Sequence, residues 1–499
     1  VNEYVVGIDM GTGSTKGVLT TLDGDIVHTA SRRHGMNLPR PGWAEVDAES
    51  VWWDDFVSVC RELVEAAGAT PVRGLCVSGV GPCFLPTDAD LRPTRPAILY
   101  GIDGRATSEI AELNDRLGED EILRVGGTPL SSQAVGPKAL WVRRREPEVW
   151  ARSSYWFNSN SFVVARLTGE YVLDHHTASQ CDPLYDMGAQ AWHEQWCTDI
   201  LGDIAMPRLA WPHEVVGVVH GSASELTGLA VGTPVSVGTI DAWAEAFSAG
   251  VREPGELMLM YGSTMFFVQV VDELRSDPML WSTIGVQPGT FTMAAGMSTS
   301  GSLTSWVQGL TGDAPFDQLV SEASGVPAGS NGLLLLPYFA GERTPIFDPR
   351  ARGMVLGLTL THTRADLFRA VYEGIAFGIR QIVEFLDHPE APVTKLFAVG
   401  GGTQGGLWTQ IVSDVTGREQ VIPAQTIGAS FGDALLAAIG TGLVDPSTNW
   451  ASAGEVTEPN PATRDLYDGL YEQYCSLYPA TKDQMHHLAL LQESASDQT

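Results

Sequence analysis

The chain has 499 residues, 44% apolar and 18% charged, which is too long for one ordinary core and normal for a globular protein of two large domains. A formal net charge of −30, with four lysines against 26 arginines, argues against nucleic acid or an anionic membrane as a partner. Any phosphate site must work locally against that negative field; a salt-rich habitat and a high-GC genome each produce such a balance.

The first apolar run begins at once, so no leader is expected, and no run approaches the roughly 18 apolar residues of a membrane span. The six cysteines (Cys60, Cys76, Cys83, Cys181, Cys197, Cys475) form no CxxC pair and suit free thiols in a reducing cytoplasm, the expected location. Sequence alone does not exclude disulfides.

The opening stretch VVGIDMGTGSTKGVLTTLDGDIVHTA (residues 5–30) carries a glycine-rich loop after an apolar run. Its spacing fits neither a P-loop nor a dinucleotide fingerprint, both of which place a helix after the loop. The residues after this loop are instead β-branched and apolar, then comes Asp23-Gly24, a hairpin signal, then another extended run. The pattern predicts strand, glycine-rich turn, strand, Asp-Gly turn, strand. Gly11 and Gly13 permit backbone N–H groups to converge on an anion, with Asp9 facing the phosphates across a cation. An ordinary hairpin with an exposed aspartate is the alternative.

Residues 48–67 read as an amphipathic helix with Val51, Phe56, Val59 and Leu63 on one side. Residues 74–80 (GLCVSGV) read as a buried strand, and 97–105 (AILYGIDGR) as a strand running into a polar turn. Helices are expected at 107–117 and 137–145. The pair His175-His176 raises a metal site but lacks companion ligands at metal spacing. Residues 233–239 (TPVSVGT) read as a strand ending in Asp241 and a small-residue helix.

At residues 256–271 (ELMLMYGSTMFFVQVV) the opening pattern returns: apolar strand, small turn Gly262-Ser263-Thr264, apolar strand. A duplicated domain accounts for this, with a boundary in the Gly/Pro-bearing stretch 250–255. The expected division is therefore 1–250 and 251–499. A helix is expected around 365–386. Residues 395–417 then read as a buried strand, three glycines (Gly400, Gly401, Gly402) and an amphipathic helix. Such glycines allow either close approach of a ligand or a tight strand–helix turn. The tail from residue 455 is polar and proline-bearing, then helical, with the last few residues expected to be disordered.

Taken together and in order, these pieces resemble the FGGY carbohydrate kinases over almost the entire chain. GIDMGTGSTK is similar to that family's first phosphate hairpin, GTIDAWAEA (238–246) to the segment with the catalytic aspartate, and YGST (261–264) to the second phosphate turn. AGERTP (340–345) and GLTLTHTRADLFRAVYEG (357–374) match its C-terminal patterns, and VGGGTQGGLW (399–408) its adenosine loop. The resemblance implies an α/β fold of two actin-like (ribonuclease-H-like) domains around a central cleft that closes on its ligands. It implies transfer of the ATP γ-phosphate to a hydroxyl of a small sugar, with Mg²⁺.

On that resemblance Asp241 is the base that takes the hydroxyl proton, although an N-cap aspartate would occupy the same place. Asp9 holds Mg²⁺ through water. Gly11, Thr12 and Gly13, with Gly262, Ser263 and Thr264, cradle the phosphates, and Gly400, Gly401 and Gly402 border the adenosine. Lys16 lies near the phosphates or is merely exposed on its strand. In VSGVGPCF (77–84), Gly81 and Pro82 stand where xylulose kinases usually carry Met-His, and FNSNSF (157–162) lacks their Lys-Asp. Asp103 and Arg105 match the family's Asp-x-Arg and either reach the sugar or brace its pocket. The resemblance thus implies a ketopentose such as D-xylulose, with ribulose, gluconate, a tetrulose or a polyol as alternatives. A non-catalytic nucleotide-binding regulator is the reading from another class; a homodimer is expected by analogy.

Overall fold

The computed structural model describes residues 3–425 and 427–496. The chain forms two compact units. The first comprises Val1–Arg252, Asp272–Thr292 and Ile427–Ala451, and the second Glu253–Val271, Met293–Thr426 and Ser452–Thr499.

The first unit opens with strands β1 (Tyr4–Met10), β2 (Ser14–Thr21) and β3 (Ile26–Arg33), the antiparallel meander that the two small-residue turns predict. β4 (Val72–Gly79) joins β1 in parallel, and β5 (Val215–Val218) and β6 (Pro234–Ser236) complete a mixed sheet in the order β5-β6-β4-β1-β2-β3. Both faces of β1 and β2 are covered. On one, Phe56, Val59, Cys60 and Leu63 of the helix Asp54–Ala67 are buried, each large side chain stabilising by about 1.5–3 kcal/mol. On the other lies the helix Ala429–Gly440, apolar nearly all round and accordingly buried. It comes so close that a Cβ on Gly7 would stand 1.9 Å from the Ser430 carbonyl.

The second unit repeats this beginning. β7 (Glu256–Tyr261) and β8 (Met265–Val271) form an antiparallel hairpin, and β9 (Lys395–Val399) joins β7 in parallel. β10 (Gln420–Pro423) and β11 (Ala453–Thr457) extend the sheet, giving neighbours β8-β7-β9-β10-β11. The helix Arg364–Leu386 is started by a capping box in which Thr363 N–H and Oγ1 both donate to Asp366 Oδ2 at 2.7 Å.

Three expectations change in detail. The predicted helix at 48–67 opens with a π-helical turn, Ala48–Trp53. The predicted strand at 97–105 is only Ala97–Ile98, because the backbone turns at Tyr100, whose carbonyl accepts from Asp103 N–H at 2.9 Å. Asp241 is not an N-cap. Ile240 caps the helix Asp241–Ser248, and Asp241 Oδ1 accepts from the neighbouring Ala242 N–H at 2.7 Å rather than from a later turn residue. The tail forms the helix Arg464–Ser496; its final residues, expected to be disordered, lie outside those described. Among the described residues no helix is long and apolar enough to cross a membrane.

Candidate active site

In the first unit the parallel strands end together. Val80 N–H donates to the Met10 carbonyl at 2.9 Å, and Gly79 N–H to the Thr239 carbonyl at 3.2 Å. These bonds bring the ends of β1 and β4 and the segment before Asp241 to one edge of the sheet, where open α/β sheets bind ligands. Asp9 stands there in register with Lys16 of β2 and Ser78 of β4. Ser78 Oγ donates to Asp433 Oδ2 at 2.6 Å and lies 3.4 Å from Asp9 Oδ1.

Four carboxyls therefore share one low-dielectric neighbourhood: Asp9, Asp241, Glu245 and Asp433. Burial, then the negative charges of Asp241, Asp433 and Glu245, push Asp9 well above the usual carboxylate range, with Lys16 opposing. Burial pushes Asp241 up to about 6, against the hydrogen bond from Ala242. Glu245 rises to about 7 through burial and the charge of Asp241, again with Lys16 opposing. Lys16 is exposed, yet it is the cation of this cluster. Sequence reasoning missed Ser78, Glu245 and Asp433. Glu245 stands four residues after Asp241 on a helix, a spacing that puts both on one face, so it was within reach.

The hairpin tip holds Gly11, Thr12 and Gly13. Gly11 N–H donates to the Ser14 carbonyl at 3.0 Å, and Thr12 Oγ1 pairs with Tyr100 OH at 3.1 Å. A Cβ on Gly13 would meet no atom within 4 Å, so open space adjoins this backbone.

The second unit contains a cavity of about 800 Å³, the size of a nucleotide-scale ligand site. Tyr261, Tyr372 and Trp408 line it, Tyr372 stacked on Trp408 at 5.1 Å. Gly401, Gly402 and Gly405 border it on one side, and Gly262, Ser263 and Gly301 on another. The structure thus brings the second turn and two of the three consecutive glycines, Gly401 and Gly402, to one cavity. The N–H groups of Ser300 and Ser302 donate to the Ser263 carbonyl, and Gly301 N–H to that of Gly262, at 3.0–3.1 Å. Thr264 is the next residue of the same exposed turn. Gly400 is in the left-handed region at φ 93°, and a Cβ on Gly402 would stand 2.5 Å from the Trp408 ring. A Cβ on Gly401 would meet nothing within 4 Å.

Gly81 and Pro82 come directly after β4 at the same edge as Asp9. A Cβ on Gly81 would lie 2.7 Å from Asn158 Oδ1, which itself accepts from Cys83 N–H at 2.8 Å. Asp103 and Arg105 are spent on each other and are closed to ligand: both side chains are 0% exposed, joined at 2.7 Å. Asp103 also accepts from Ala44 N–H at 2.7 Å, and the Arg105 guanidinium bonds Glu45 at 2.8 Å and lies 3.9 Å from the Trp43 ring centroid. Burial raises Asp103, but the bonds from Arg105 and Ala44 outweigh it and hold the carboxyl below its ordinary value. Of the two alternatives, reaching a sugar or bracing, this geometry supports bracing.

The two histidines are engaged otherwise. His175 Nδ1 pairs with Tyr185 OH at 2.8 Å, while His176 Nδ1 donates to the Ile284 carbonyl at 2.6 Å and its Nε2 accepts from Gln180 at 2.8 Å. Burial pushes His176 down to about 4. All six cysteines are free. Among the described residues no group of three or more His, Cys, Asp or Glu could hold a metal alone. One carboxylate, that of Asp9, nevertheless suffices for Mg²⁺, which keeps several waters and takes one or two carboxylates plus phosphates. The aromatic-lined cavity and the open space at Gly401 fit a nucleotide.

Residues 4–248 match the N-terminal domain and residues 257–441 the C-terminal domain of the FGGY family of carbohydrate kinases. The chain is 26% identical to a xylulose kinase of Bacillus subtilis, covering 96% of this chain and 98% of that one. A gluconokinase of the same organism is 23% identical over 89% of each. The crystal structure of xylulose kinase from Rhodospirillum rubrum superposes with a TM-score of 0.89 at 34% identity, covering 97% of this chain and all of that one. The chain belongs to the FGGY family of carbohydrate kinases, sugar phosphotransferases of the actin-like ATPase fold.

Proposed function

We propose that this enzyme transfers the γ-phosphate of ATP to a hydroxyl of a ketopentose of the D-xylulose type. One observation carries the chemistry: Asp241, raised to about 6, stands in the same carboxylate cluster as Asp9, at the end of the parallel strands. A base with a pKa near the working pH can orient the sugar hydroxyl and accept its proton as the oxygen bonds to phosphorus. Phosphoryl transfer otherwise needs positioning and charge neutralisation. Gly11, Thr12 and Gly13, and likewise Gly262, Ser263 and Thr264, are the small-residue turns that cradle the phosphates. Lys16 offsets phosphate charge. Gly400, Gly401 and Gly402 border the adenosine. Asp9 would hold Mg²⁺, which when bound neutralises charge on the phosphates.

In this reading residues 1–250 carry the sugar site, the first phosphate hairpin and the base, and residues 251–499 the second turn, the adenosine loop and the helical tail. Gly81 and Pro82 shape the sugar pocket, and Asp103 with Arg105 braces it. The setting is the cytoplasm and the working form a homodimer, which light scattering would check.

Identity with xylulose kinases favours the ketopentose. One observation favours a different sugar: Gly81 carries no side chain where xylulose kinases usually carry one, and a Cβ added there would stand 2.7 Å from Asn158 Oδ1. ADP release with Mg·ATP across ketoses, polyols and sugar acids decides between them. Highest kcat/KM on D-xylulose supports the first reading; highest kcat/KM on gluconate, ribulose, a tetrulose or a polyol replaces it.

A further inference from the structure

His34 comes directly after β3 and closes on the first hairpin from behind. Its backbone N–H donates to the Gly13 carbonyl at 3.1 Å, and its ring Nε2 lies 2.9 Å from the Gly11 carbonyl. The other ring nitrogen, Nδ1, lies 2.8 Å from Asp55 Oδ2. The His34 side chain is 7% exposed, so water does not replace these partners. A carbonyl can only accept, so the contact to Gly11 is made by the Nε2–H of the ring, and Asp55 on the other side holds the ring in the orientation that points this donor at Gly11.

Asp55 is placed for this by its helix. It is the second residue of Asp54–Ala67, immediately after the π-helical turn Ala48–Trp53. A π turn holds one more residue than an α turn, which rotates every later side chain by about 100°. The faces presented to β2 and β3 are set by that extra residue. The histidine in turn sets a peptide: because the unit is planar and trans, a Gly11 carbonyl held toward His34 turns the Thr12 N–H the opposite way.

We propose that His34, steadied by Asp55, is the positioning residue of the first phosphate hairpin, aiming the Thr12 N–H at the nucleotide phosphates. This rests on the reading of Gly11, Thr12 and Gly13 as a phosphate clasp.

The test uses the full enzyme, calorimetry with Mg·ADP, and steady-state KM for ATP and for sugar. His34→Ala raises the Mg·ADP Kd and the ATP KM about tenfold, the size of one hydrogen bond, and leaves the sugar KM within twofold. His34→Gln, which keeps one donor for Gly11, recovers part of the loss. Gly13→Val, whose side chain enters open space, is the control for the clasp. Weakened binding in Gly13→Val with unchanged binding in His34→Ala overturns the proposal alone. Unchanged binding in Gly13→Val overturns the clasp reading, and the proposal with it. Should His34→Ala fail to fold, Asp55→Asn carries the same test, unchanged affinity again overturning the proposal. Independently, ¹⁵N spectra of the histidine-labelled enzyme must show a proton on His34 Nε2; a bare Nε2 contradicts the clamp.

Discussion

Asp433 is gripped by Ser78 through two bonds, from the hydroxyl at 2.6 Å and from the backbone N–H at 3.1 Å, although 355 residues separate them in sequence. The carboxyl is fully buried, and that burial pushes it well above the usual carboxylate range, against the Ser78 bonds. Asp433→Ala leaves a buried N–H and hydroxyl without their acceptor and is predicted to cost about 1–3 kcal/mol in urea unfolding. Asp433→Asn should cost less and change the pH dependence. A carboxyl raised in the folded state contributes stability below its unfolded pKa near 4 and loses it as pH rises through the folded value. Stability of the native enzyme should therefore fall relative to Asp433→Asn as pH rises from about 4; a difference constant with pH contradicts this.

The base must be ionised to work. With Asp241 raised to about 6 and Glu245 to about 7, kcat/KM is predicted to fall on the acid side in that range. The charge of Asp241 helps raise Glu245, so Asp241 ionises first, while Glu245 is still protonated and uncharged. Glu245→Gln should therefore leave the acid limb near 6. A pH–rate profile whose acid limb moves by a full pH unit or more in the variant counts against this order of ionisation.

Two adjacent glycines at the nucleotide cavity should behave differently. A Cβ on Gly402 meets the Trp408 ring at 2.5 Å and Tyr261 Cβ at 2.9 Å, so Gly402→Ala must displace the ring stacked on Tyr372. Overpacking of this kind costs about 1–3 kcal/mol, so both Tm and Mg·ADP affinity should drop. Gly401→Ala enters open space and should weaken nucleotide binding with an unchanged Tm. Differential scanning fluorimetry with and without Mg·ADP separates the two.

The features legible in the sequence are those written in neighbouring residues. Asp23-Gly24 and the small residues at 11–13 predicted the β1–β2–β3 meander, and the 3.6-residue pattern predicted the helix observed at Arg364–Leu386. Asp9 and Asp241 were legible because each stands at the end of an apolar run. What sequence did not disclose depends on distant partners. The helix Ala429–Gly440 returns to the first unit and supplies Asp433, which no local pattern shows. The Asp-x-Arg pair left two readings open, and only its complete burial against Ala44, Glu45 and Trp43 separates them. His34 is a single histidine with no motif; its importance lies in the carbonyls it meets.

The central claim is that Asp241 is the base, and the most direct measurement is sugar-dependent ADP release by Asp241→Asn, with Mg·ADP affinity measured on the same preparation. Removing a general base typically costs about 10²–10⁴ in rate. The account predicts a kcat loss of that size with nucleotide affinity within twofold of the native enzyme. Turnover within tenfold of native, at unchanged nucleotide affinity, would show that the proton goes elsewhere.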